Sequence, residues 1–371
     1  MSENINYNAL LIDTSIFDGN GLRLEKGLLG KLYQFRKSPI DFLMPDVIFN
    51  EIKAHLEQKI KASRSALEKS LNDAGDHLFF DGSTLNDAKK ILIDSNEIEN
   101  LAETRLDNFL DETGALCIDC GEYVTVSVLL KQYFSNQPPF AETGKKKNEF
   151  PDAIILMAIE KWAENEDKFV LAVAKDDDWK RYCETSKRIV YEEELSAGLA
   201  AFNTANAPYA LLANLESALE NETAKSFLDS IEVRLSSALD GFTPDQDADS
   251  FLYWEPEGCD AWFKEFYLSD NEFRVIDSAE DWVVLEANAV ITVEAEGEFS
   301  LSMHDSIDRD YVHMGGVTAN AEKEFESEIL ITISGDLNGP IEGLVVEDVE
   351  IVSRIKTIHF GTLEPDFGDY D

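Results

Sequence analysis

The apolar positions of this chain change their period once. Up to about residue 240, short continuous apolar runs alternate with stretches at helical spacing. NALLI at 8–12 has the character of a buried strand ending at Asp13, with Thr14 and Ser15 behind it as helix N-caps. Leu22, Leu24, Leu28, Leu29, Leu32 and Phe35 have the spacing of a helix over 22–36. IDFLM at 40–44 is a second strand, and Pro45 opens a helix striped by Val47, Ile48, Ile52 and Leu56. Residues 56–112 stay helical but become heavily charged. That stretch is longer than a strand–helix repeat needs and is expected to be an inserted helical hairpin. Residues 115–118 and 123–130 are apolar, the latter a further helix. SNQPPFAETGKKKNEF at 135–150 is rich in turn formers and predicts a surface loop. Pro151 opens a helix whose inward stripe is Ala153, Ile154, Leu156, Met157 and Ile159. KFVLAVA at 168–174 is a buried strand that runs into Lys175-Asp176-Asp177-Asp178-Trp179, and Ile189 and Val190 mark a short strand beyond it.

Strands that are apolar throughout, separated by helices, predict an α/β sheet covered on both faces over residues 1–200. Helices continue over 201–240 as a connector. LDGFTPDQDADS at 239–250 has the composition of a boundary, expected between 235 and 255. Beyond it, residues 282–293, 326–334 and 344–360 alternate apolar with polar or acidic residues, and Ile329, Ile331 and Ile333 share one strand face. Residues 250–371 therefore predict an antiparallel β domain, a sandwich.

Composition adds a class and a charge. No apolar run approaches the ~18 residues of a membrane span, and MSENINYN has no signal core, so the expectation is a soluble, cytoplasmic protein. Cys117 and Cys120 form a lone C-x-x-C, short of the four ligands of a closed zinc site, and with Cys183 and Cys259 they are expected to be ordinary thiols. The net charge is −42, and residues 241–371 hold 6 Lys and Arg against 32 Asp and Glu. Such a balance disfavours tight non-specific binding to long duplexes, because phosphate binding needs basic groups to replace counterions. It leaves room for a small site where metal ions supply the positive charge, and for a protein partner at the acidic C-terminal domain.

In open α/β sheets function gathers at the carboxyl ends of the strands. Asp13 and Asp176 directly follow apolar strands there. Glu51 and Asp152 lie near the starts of helices that follow loops. Carboxylates in such places are costly unless paired or bound to a cation, and hard cations such as Mg²⁺ and Mn²⁺ take oxygen ligands. A site of this kind can activate water for in-line phosphoryl displacement. The plainer reading of each acid is a helix cap, and Asp152 can cap the helix it opens. Joint placement, rather than any single acid, favours a metal site.

The segments LLIDTSIF at 10–17, MPDVIFNEI at 44–52, FPDAIILMAI at 150–159 and VAKDDDW at 173–179 resemble the four acidic blocks of the PIN-domain superfamily. KKNEFPDAIIL at 146–156 with KDDDW downstream is similar to a bacterial PIN-like subgroup. The resemblance covers about residues 7–195. It implies a Rossmann-like α/β/α sandwich with a central parallel sheet, and Mg²⁺- or Mn²⁺-dependent phosphodiester cleavage, mostly of RNA. By position it implies Asp13, Glu51, Asp152 and Asp176 as the catalytic, metal-holding quartet. Asp178 would be an accessory acid, and Thr14 or Ser15 the hydroxyl beside the first aspartate. The long charged helical stretch before 115 and the acidity of the whole depart from the family pattern.

Around these acids, Lys145, Lys146, Lys147 and Lys175 are candidate phosphate contacts, against the alternative of solvated surface charge. His55 lies one turn beyond Glu51 and can share a metal with it, but a single exposed His is the simpler reading. Trp179 is expected in the core. Asp305, Asp308 and Asp310 lack the Gly and Glu positions of a calcium loop. The functional expectation is an endoribonuclease, toxin-like or an antiviral defence effector. The alternatives are a structure-specific DNA nuclease and a non-cleaving PIN-like protein that binds RNA or a partner; a homo-oligomer is open.

Overall fold

The computed structural model describes residues 7–77, 82–92, 98–140, 150–203, 209–304, 311–337 and 339–365. The chain divides into two compact units, 1–202 and 203–371.

The first unit is built on a five-stranded parallel sheet of β1 (Ala9–Ile12), β2 (Asp41–Pro45), β3 (Leu116–Ile118), β4 (Val170–Val173) and β5 (Ile189–Glu192). The order across the sheet is β3-β2-β1-β4-β5, and every pairing is parallel. β1 and β4 are buried along their whole length, which explains their uninterrupted apolar sequence. Helices link the strands: α1 (Thr14–Gly19), α2 (Gly27–Gly30), α3 (Asp46–His77), α4 (Gly82–Leu92), α5 (Ile98–Thr113), α6 (Cys120–Tyr123), α7 (Val126–Phe134), α8 (Phe150–Glu166), α9 (Asp177–Thr185) and α10 (Leu195–Asn203). α10 crosses β4 so closely that a Cβ at Gly198 would meet Val173 Cγ2 at 2.9 Å.

Two local expectations change. The helix predicted over 22–36 is broken into turns, α2 and a 3-10 segment over 31–37. Gly21, Leu22 and Gly27 all take positive φ, which no right-handed helix accommodates. The stretch at 56–112 is not one insertion. α3 runs unbroken from Asp46 and buries Ile48, Ile52, Leu56 and Ile60. α5 buries Ala102, Leu106 and Phe109, and Phe109 packs edge-on against Phe17 and Phe42. The parts that leave the domain core are the far end of α3 and α4.

The second unit contains α11 (Tyr209–Glu220), α12 (Lys225–Ala238), β6 (Asp245–Asp249), β7 (Tyr253–Leu268), β8 (Arg274–Ser278), β9 (Trp282–His304), β10 (Tyr311–Ser334), β11 (Val345–Ile351) and β12 (Thr357–Thr362). β11-β10-β9-β7 form an antiparallel sheet, with β8 also on β9. β6 and β12 form a separate parallel pair, so the architecture is not the expected sandwich of two antiparallel sheets. That pair lies tight on β9, where a Cβ at Gly297 would meet Phe360 Cζ at 2.8 Å.

Residues 201–240 are not a connector. Leu211, Leu215, Phe227, Ile231, Leu235 and Leu239 share one core with Leu285, Ile291, Ile331 and Ile358. That core runs continuously across 245, so the expected boundary at 235–255 moves back to 202/203. The amphipathic faces of α11 and α12 find their apolar partner in strands that come later in the chain.

Candidate metal and nuclease site

The strand order reverses between β1 and β4: the chain winds outward from β1 to β3, then returns to lay β4 on the other side. At such a switch point a crevice opens beyond the carboxyl ends of the two strands. Asp13 follows β1, and Asp176 follows β4 by three residues. The ladder carries on into the site, as Asp13 N–H donates to Val173 O at 2.9 Å.

Each acid is held by a local device. Asp13 caps α1, and its Oδ2 accepts from Ser15 N at 3.1 Å and from Ser15 Oγ. Ser15 Oγ in turn accepts from Lys175 N at 3.2 Å, which ties the end of β1 to the turn after β4. Thr14 Oγ1 donates to Glu51 Oε2 at 2.7 Å and brings the second turn of α3 against α1. Asp176 caps α9, with Oδ1 accepting from Asp178 N at 2.6 Å. Asp152 stands in the first turn of α8, and its Oδ1 accepts from the indole Nε1 of fully buried Trp179 at 2.8 Å.

The electrostatics tie the four together. Burial raises the Asp13 carboxyl above its usual range, Asp176 adds to the rise, and the Ser15 and Thr14 hydrogen bonds oppose it. Asp152 is pushed up to about 7, by burial first and then by the charges of Asp13, Asp176 and Glu51, against the Trp179 hydrogen bond. Four carboxylates within Coulombic reach, Asp13 buried and the other three half-buried, favour a proton or a cation. Among the described residues, no group of three or more His, Cys, Asp or Glu is drawn closely enough together to enclose an ion. The donor set nonetheless fits a hard cation: the hydrogen bonds to Glu51, Asp152 and Asp176 each use one carboxylate oxygen and leave the other for a ligand role.

Other expected residues fall differently. The hydroxyl of Thr14 donates to Glu51 and that of Ser15 to Asp13, so each positions a carboxylate. Asp178 pairs with Arg181, and Lys175 is exposed at the turn after β4. Lys145, Lys146 and Lys147 lie outside the described residues, as do Asp305, Asp308 and Asp310. Cys117 is exposed; Cys120 is buried, and burial with Asp46 beside it lifts its thiol to about 12. Trp179 is core, as expected, but its hydrogen bond to Asp152 is a link to the candidate site that sequence reasoning missed. The KDDDW run was the available signal.

The PIN-domain family model matches residues 10–179, a span that holds all four acids. The first unit of this chain is therefore a PIN domain, with a five-stranded parallel sheet and flanking helices. PIN domains are generally nucleases that act on nucleic acid with divalent metal ions, so the family suggests a nuclease. No curated protein and no solved structure matches the chain. No helix among the described residues is long and apolar enough to cross a membrane.

Proposed function

We propose that this protein is a metal-dependent endoribonuclease in which Asp13, Glu51, Asp152 and Asp176 hold Mg²⁺ or Mn²⁺. The observation that carries the reading is the convergence of the four acids at the β1/β4 switch point, close enough that Asp13, Asp176 and Glu51 all add to the rise of the Asp152 carboxyl. A crevice that stores this much like charge is relieved by a divalent cation. When bound, the cation supplies a polarised water and charge neutralisation on the phosphodiester.

The residues of the chain do the rest. Ser15 fixes the rotamer of Asp13, Thr14 fixes Glu51, and Trp179 fixes Asp152, so the oxygens are held ready before substrate arrives. Lys175 and the basic triplet Lys145, Lys146 and Lys147 are proposed to grip phosphates on either side of the metal. The net charge of −42 disfavours tight non-specific binding to long duplexes. The wider reading is a cytoplasmic effector, toxin-like or antiviral, whose acidic second unit binds a protein partner.

The test is incubation of the purified protein with mixed RNA and DNA pools in Mn²⁺, Mg²⁺ or EDTA. The reading expects RNA cleavage with either metal and none in EDTA. Cleavage of branched or flapped DNA alone would transfer the proposal to a structure-specific DNA nuclease. No cleavage of any pool would leave a PIN domain that binds without cutting.

A further inference from the structure

α1 and α3 are joined by two rungs. The first is Thr14 Oγ1 to Glu51 Oε2 at 2.7 Å, inside the acidic site. The second is Asp18 to His55, where Nδ1 lies 3.1 Å from Oδ1 and 3.0 Å from Oδ2. Asp18 follows Thr14 by four residues, and His55 follows Glu51 by four. Both steps are one helical turn in the same direction, so the second rung stands about 5–6 Å from the first, the ordinary i,i+4 spacing. His55 is thus a close neighbour of the carboxylate cluster, although it lies outside it.

The rung fixes how the imidazole is presented. Both Asp18 oxygens face Nδ1, which assigns the Nδ1 proton to that pair and leaves Nε2 as the nitrogen it does not engage. A carboxylate that orients an imidazole through one nitrogen while the other faces solvent is a recurring arrangement for proton transfer. The side chains of His55 and Asp18 are 42% and 46% exposed, so the pair is open to solvent beside the carboxylate site. Nearby Lys53, two residues earlier on α3, pairs instead with Glu103 at 3.3 Å. A surface ion pair that only pinned α1 to α3 would contribute little. The adjoining Thr14–Glu51 rung and the buried Ile16, Phe17, Ile48 and Ile52 already hold that contact.

We propose that His55, oriented by Asp18, is the general acid of the cleavage reaction, an inference that rests on the nuclease reading above. Water forms the new P–O bond and gives its proton to solvent. The bond from phosphorus to the leaving oxygen breaks, and the electron pair stays on that oxygen, which takes the Nε2 proton of the imidazolium. The neutral imidazole keeps its Nδ1 proton against Asp18 and is reprotonated from solvent. Asp18 acts as a positioning residue.

The experiment compares two oligonucleotides cut at the same mapped bond. One is normal, and the other carries sulfur in place of the leaving oxygen, which departs without needing a proton. His55→Gln is expected to lose about 100-fold in kcat on the normal substrate, within the usual range for general acid catalysis. On the sulfur substrate it is expected to stay within a few-fold of wild type. Asp18→Asn should show the same pattern with a smaller loss. Mn²⁺ affinity and melting temperature should be unchanged in both variants. Equal losses on the two substrates, no loss on the normal one, or a loss of Mn²⁺ affinity in His55→Gln would each overturn the assignment while leaving the nuclease reading intact. A wild-type protein that cuts neither substrate overturns both.

Discussion

Trp179 and Asp152 stand 27 positions apart in sequence and meet through one hydrogen bond of 2.8 Å, indole Nε1 to carboxylate Oδ1. The indole is wholly buried, so this single polar atom spends its one donor on the acid that carries the most perturbed carboxyl of the site. The bond opposes the rise caused by burial and by the neighbouring charges.

Replacing that donor tests its purpose. Trp179→Phe keeps most of the apolar body and removes the N–H, and a hydrogen bond to a charged group contributes about 1.5–3 kcal/mol. Asp152 should then be harder to ionise. The acid limb of the pH–rate profile should move to higher pH, by about one unit or more if the full energy of the bond is expressed there. A matching fall in cleavage at every pH, with no shift of the limb, would reduce Trp179 to packing.

The raised Asp152 carboxyl also sets a stability profile in the absence of metal. Its folded value, about 7, lies above its unfolded value. The folded state therefore binds the proton more tightly than the unfolded chain. The stabilisation from that proton is fully present below the unfolded value and is lost as pH rises through about 7. In EDTA the wild type should melt at progressively lower temperature from pH 5 to pH 8. Asp152→Asn keeps the Trp179 acceptor and removes the charge. It should flatten that slope and exceed wild type at pH 8 by roughly 2–3 kcal/mol. Thermal melts across pH in EDTA measure this directly, and an unchanged slope would contradict it.

The second unit makes a separate prediction. Ile231 and Leu235 of α12 are fully buried in the core that also holds β9 and β10. Ile231→Ala should destabilise that unit by about 2–5 kcal/mol, the usual range for such a deletion. A fragment beginning at 241 lacks this helix and should fail to fold, whereas one beginning at 203 should fold. Chemical denaturation and near-UV circular dichroism of the two fragments distinguish these outcomes.

The pattern of what was readable in the sequence follows from how local each signal is. NALLI before Asp13 and KFVLAVA before Asp176 are continuous apolar strands ending in acids, and the switch point lies between those strands. Hydrophobic period alone could not see that Gly21, Leu22 and Gly27 adopt positive φ, so the leucines at 22–32 suggested one helix where the chain turns. The domain boundary is not legible locally, because α11 and α12 are ordinary amphipathic helices whose partner surface lies in strands after residue 253. Trp179 read as core and is core; the direction of its N–H depends on tertiary placement that no local spacing encodes. The hydroxyls of Thr14 and Ser15 are visible as neighbours of Asp13, and Ser15 serves Asp13 locally, but that Thr14 serves Glu51 depends on α3 packing against α1.

The central claim, that the carboxylates at the ends of β1 and β4 hold the cation that drives cleavage, is tested most directly by one rate. Single-turnover cleavage of RNA in saturating Mn²⁺ is measured for wild type, for Asp13→Asn with Asp176→Asn, and for Asp177→Asn as an exposed neighbour. The expected result is loss of cleavage in the double variant, with Asp177→Asn near wild type and all three equally folded by circular dichroism. A folded double variant that cuts at the wild-type rate would contradict it.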